Sequence, residues 1–122
     1  MTILLTMGAG ALALSALAAP GPRSLPLRRG VYVVGSAECV GASSASKAWF
    51  GGGVMIHQPH ASCDLVQASR TGPMTWEIAK RCFEYGNHAR PFAVVDRIRI
   101  VSHTEYELNN RFGRFDAHWC HG

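Results

Sequence analysis

At 122 residues, 48% of them hydrophobic and with a net charge of +4, the chain has room for one compact domain and too little for two. It contains no internal repeat and no nucleic-acid-binding motif, which excludes a solenoid and a sequence-specific reader of nucleic acid.

Residues 1–18 carry no charge and end in Ala16-Leu17-Ala18, a small-x-small pattern that places an export-signal cut before Ala19. The competing reading is a membrane-spanning helix. The apolar run is at the short limit for that role and stops at Pro20-Gly21-Pro22. The export reading leaves no transmembrane span after cleavage and a periplasmic or secreted bacterial protein. Residues 19–29 hold three prolines and three arginines without apolar periodicity, and read as a flexible leader. Residues 30–122 form the single domain.

Val31-Tyr32-Val33-Val34 is β-branched and aromatic and starts the first strand. Residues 36–46 are small and polar: a loop with room for one helical turn. Residues 46–50 and 54–57 make a short hairpin around Gly51-Gly52-Gly53. No Lys-Ser/Thr follows these glycines, so they serve a turn rather than a phosphate cradle. The central hairpin pairs residues 63–70 with 74–82 about Thr71-Gly72-Pro73. Within 74–82, Met74, Trp76, Ile78 and Cys82 share the apolar face, which only Lys80 interrupts.

Residues 84–91 are polar, end in Pro91 and read as a loop. In 92–101, Val94, Ile98 and Ile100 point one way, and Arg97 and Arg99 the other. A turn centred on His103 sets Arg99 opposite Glu107 and Ile100 opposite Tyr106. Strands over 105–109 and 114–120 finish the chain. The expected fold is all-β: an antiparallel up-and-down meander of about eight short strands, closed or nearly closed into a small barrel with two disulfides.

An even number of cysteines in an exported chain this small argues for two bridges. Hairpin geometry favours Cys63–Cys82, which leaves Cys39–Cys120. The alternative, Cys39–Cys63 with Cys82–Cys120, stays open at this level. The spacing of His57, His60 and Cys63, with Cys120-His121, matches no established zinc module, so no metal and no cofactor is assigned.

Asp96 shares parity with Val94, Ile98 and Ile100 and therefore points toward the apolar side. A buried carboxylate needs a partner or a raised pKa. It is either a ligand-orienting or acid/base group in a cavity, or an Asp at a strand irregularity, near the rim or satisfied by an arginine. The candidate ligand contacts are Tyr32, Trp76, Asp96, Arg97, Arg99 and Trp119. Arg97 and Arg99 also offer weak contact with an anionic surface, offset by cross-strand Glu105 and Glu107. No Ser-His-Asp, Cys-His or paired-carboxylate motif is present.

By layout the 30–122 domain resembles two groups of small exported β-barrels. These are the periplasmic lysozyme inhibitors and the calycins, whose first strand carries Gly-x-Trp where this chain has Gly30-Val31-Tyr32. The resemblance implies an eight-stranded barrel and transfers no functional residue. The function expected is a non-enzymatic binding or inhibitor-type protein, taking an unknown protein or a small apolar ligand. The alternative is a small hydrolytic or metal-dependent enzyme using Asp96 and the histidines.

Overall fold

The computed structural model describes residues 24–84 and 87–122, so the segment read as an export signal lies outside the described residues. Eight strands run in chain order: β1 Gly30–Val34, β2 Lys47–Phe50, β3 Ile56–His57, β4 Ala61–Gly72, β5 Thr75–Glu84, β6 Asn87–Ser102, β7 Glu105–Asn110 and β8 Gly113–His121. All pairings are antiparallel, in the order β3-β2-β1-β8-β7-β6-β5-β4. The sheet curls into a nearly closed barrel. Its two edge strands, β3 and β4, are neighbours in sequence, joined through residues 58–60. So short a connection brings the two edges together at that end.

Alternation along the long strands sets the inside. Trp76, Ile78, Lys80 and Cys82 on β5 face Val94, Asp96, Ile98 and Ile100 on β6, all of them buried. Tyr32, Ala48, Phe50, Tyr106, Leu108 and Ala117 complete the core. The β6–β7 hairpin turns at His103-Thr104, with Ser102 opposite Glu105. A register shift between Ile100 and Ser102 restores the expected pairs, Arg99 opposite Glu107 and Ile100 opposite Tyr106.

The central hairpin turns later than its glycine suggests, through Pro73 and Met74, with Gly72 opposite Thr75. Carried back without interruption, that pairing would set Cys63 opposite residue 84. Register shifts between Leu65 and Gln67 and between Arg70 and Gly72 each absorb one residue, so Cys63 meets Cys82 instead. The two form a disulfide with their Cα atoms 4.0 Å apart. The other bridge, Cys39–Cys120, fastens the connection between β1 and β2 to β8. The hairpin-derived pairing therefore holds, and no described cysteine is free.

Two readings are corrected. Residues 87–91 are not loop but the start of β6, with Pro91 inside it. The ladder tolerates a residue without an N–H because pairing is irregular between Cys82 and Glu84, where four residues of β6 (88–91) stand against one of β5. Residues 24–29, read as part of a flexible leader, instead cap one end of the barrel. Leu25 and Leu27 sit in the core at 2% and 5% exposure. Each contributes roughly 1.5–3 kcal/mol by leaving water. The segment has only two apolar side chains, one residue apart, too few for periodicity to reveal a buried face.

Five hydrogen bonds hold this cap, one of them from the Gly53 amide to Ser24 Oγ at 3.0 Å. The Leu25 amide donates to the Gly53 carbonyl and the Arg28 amide to the His103 carbonyl, both at 2.8 Å. The Tyr32 hydroxyl donates to the Arg28 carbonyl at 2.6 Å, and the Trp119 indole to the Arg29 carbonyl at 3.0 Å. Gly30 leads from the cap into β1 with φ +141, where a Cβ would lie 2.3 Å from the His121 carbonyl oxygen. Only glycine fits that passage.

Candidate functional site

At the end away from the cap the barrel opens into a pocket of about 320 Å³. Val34, Val94, Leu108 and Phe115 line it from four different strands, and the Cys63–Cys82 bridge forms another part of the wall. Phe92 and Phe112 approach edge to face, 6.3 Å between ring centroids, and Phe112 is 61% exposed on the β7–β8 turn. Two carboxamides, Gln58 and Asn110, join this apolar lining. The volume lies at the lower end of what small-molecule sites use.

Asn110 connects the mouth to a polar layer deeper in the barrel. Its Nδ2 donates to Asp96 Oδ1 at 3.0 Å, and its Oδ1 accepts the Phe112 amide at 2.8 Å. The other oxygen of Asp96 takes an ion pair from Lys80 Nζ at 2.6 Å, with both side chains nearly inaccessible. The partner of Asp96 is thus the lysine that interrupts the apolar face of β5, not an arginine. Alternation exposes both residues as anomalies. Their meeting depends on the β5–β6 register, in which Lys80 stands opposite Val94 and Ile78 opposite Asp96.

The remaining sequence candidates separate into two groups. Tyr32, Trp76 and Asp96 are buried, and none of them lines the mouth pocket. Tyr32 and Tyr106 lie 5.4 Å apart between ring centroids. Burial pushes the Tyr32 phenol up to about 12, against a smaller opposing pull from the Arg28 carbonyl it donates to. Burial drives the Tyr106 phenol up as well, with Tyr32 and Asp96 adding to it. The Tyr106 hydroxyl and the Trp76 indole nitrogen have no hydrogen-bond partner within the described protein. Trp119 is half-buried at the capped end, with the Arg28 guanidinium 3.8 Å above its ring.

Arg97 and Arg99 stand on the outer face, where each meets an acid. Arg97 pairs with Glu77 at 3.2 Å. Glu107 receives Arg99 at 2.9 Å and Arg114 at 2.8 Å. Hydrogen bonds from these two arginines hold the Glu107 carboxyl at about 2. The pairs account for all three guanidinium groups on this stretch of wall.

Outside the barrel, Trp49 is half-exposed beside His57, 5.3 Å between ring centroids. The Trp49 ring lies so close over Gly51 that a Cβ there would come within 2.4 Å of it. Among the described residues, Cys39, Cys120 and His118 bring ligand-type atoms within 4.8 Å of one another, but the two sulfurs are bonded to each other. None of the described helices is long and apolar enough to cross a membrane. No family model matches the chain, and neither a curated protein nor a solved structure matches it.

Proposed function

We propose that this chain is a small exported, disulfide-stabilised binding protein that takes a small apolar molecule into the open mouth of its barrel, without catalysis. The observation that carries this reading is the mouth pocket, with aliphatic and aromatic walls and only two polar lining residues. Two bridges in so small a domain suit an oxidising compartment, periplasmic or secreted. Hydrolysis is the weaker reading because both oxygens of Asp96 are engaged and the carboxylate is buried. The outer arginines support an anionic partner weakly, since each is already matched by an acid.

Titration with 1-aminoanthracene, followed by fluorescence and by amide chemical shifts, tests the reading. One saturable site is expected, with the largest shifts at Val34, Val94, Leu108 and Phe115. Phe112→Ala, on the exposed rim, should weaken binding with little effect on folding. Absence of saturation, or shifts confined to the outer face around Trp49, would reject it.

A further inference from the structure

The polar groups at the mouth narrow the class of ligand, an inference that rests on the mouth-binding reading. None of the described residues lining the pocket is charged. The nearby buried pair, Lys80 and Asp96, is internally neutral and already bonded. Arg111, on the same turn as Phe112, donates to the Ala93 carbonyl at 3.2 Å and lies over the Phe112 ring. An ionised group drawn into this pocket would lose hydration and find no opposite charge on its described walls, which disfavours ionic ligands strongly.

The two lining carboxamides are not equivalent. Asn110 has one N–H committed to Asp96 and one oxygen lone pair committed to Phe112, which leaves a single donor and a single acceptor position. Gln58 is half-buried and makes no hydrogen bond within the described protein, so its whole amide is available. A group that both donates and accepts, without charge, complements this pair, and an amide is the simplest such group. An attached alkyl chain would match the aliphatic and aromatic walls. We infer that the mouth pocket selects an uncharged acyl amide: an alkyl chain among Val34, Leu108 and Phe115, its amide facing Gln58 and Asn110.

Four probes of similar length separate the possibilities: octanamide, 2-octanone, octanoate and octylamine, each titrated calorimetrically into the intact, oxidised protein. Octanamide is expected to bind tightest, at least about tenfold tighter than either charged probe, with 2-octanone between them. Gln58→Leu, at a connection outside the strands, should weaken octanamide more than 2-octanone, because the ketone can only accept whereas the amide both donates and accepts. Octanoate binding as tightly as octanamide would overturn the inference and point to capture of an anionic headgroup by Arg111. Equal binding of amide and ketone to the unaltered protein would overturn it too, yet leave the apolar pocket standing. Failure of all four probes, with 1-aminoanthracene also failing, would remove the pocket reading itself.

Discussion

At the capped end of the barrel, Leu25 and Leu27 enter from a segment before the first strand and pack within the same cluster as Phe50, Trp76 and Tyr106. At the mouth, the same strands continue past Lys80 and Asp96 into walls that no described segment fills. Both ends present apolar side chains by simple alternation, but among the described residues only the capped end has a segment folded into it. An end filled from its own chain serves stability, whereas an end left lined and open is available for binding. The Lys80–Asp96–Asn110 layer lies between the two.

The largest expected effect comes from breaking that layer. Lys80→Met would leave the Asp96 carboxylate buried without its cation, at a cost of about 3–5 kcal/mol in urea unfolding. Removing both charges with Lys80→Met and Asp96→Leu together should recover most of this loss. A double variant as unstable as the single one would show that the layer does more than neutralise itself.

Cavity formation compares the two ends directly. Leu27→Ala at the capped end is expected to cost about 2–5 kcal/mol, because Leu27 is buried in the closed core. Leu108→Ala enlarges a pocket that is already open and should fall at or below the bottom of that range. Equal losses would mean that the mouth is as tightly packed as the cap.

Tyr32→Phe sharpens the view of the capped end at smaller scale. It removes the donor that holds the Arg28 carbonyl and should cost about 0.5–1.5 kcal/mol. Burial raises the phenol from 10 to about 12 in the folded protein, so the neutral form is favoured there. The corresponding stability is fully present below pH 10 and is lost as the pH rises toward 12. Alkaline unfolding curves should therefore be flatter over that interval in Tyr32→Phe.

The mouth was less legible in the sequence than the walls. Strand alternation follows from period-two patterning, which is local. The hairpin favours the Cys63–Cys82 bridge, but its register rests on two shifts in β4 that turn chemistry does not reveal. The cap was missed because Leu25 and Leu27 acquire meaning only from a barrel end that already exists. The pocket was missed for a related reason: Val34, Leu108 and Phe115 look like ordinary core positions, and only their place along the barrel axis distinguishes them. Lys80 and Asp96 were each visible as a break in an apolar face, but joining them required the pairing of β5 with β6. Trp49 alternates along β2 with the buried Ala48 and Phe50, so its place on the outer wall is set by local patterning.

The smallest expected effect belongs to the outer wall, which both ends share. Arg99 and Arg114 converge on Glu107 across β6, β7 and β8, and their hydrogen bonds hold its carboxyl at about 2, below its ordinary 4.5. A depressed folded-state pKa stabilises the fold above the unfolded value, and that contribution fades as pH falls from about 4.5 toward 2. Glu107→Gln should therefore flatten the acid limb of the stability profile over that window and leave the alkaline limb unchanged. Because the cluster is exposed, added salt should shrink the difference between the two proteins. The contrast with the inside of the barrel is the useful part: salt should leave the effect of Lys80→Met nearly intact, since that pair is shielded from ions by the wall that Glu107 helps to fasten. A Lys80→Met penalty that screens as readily as the Glu107 effect would place the polar layer in contact with solvent, and the division between a sealed half and an open half would fail with it.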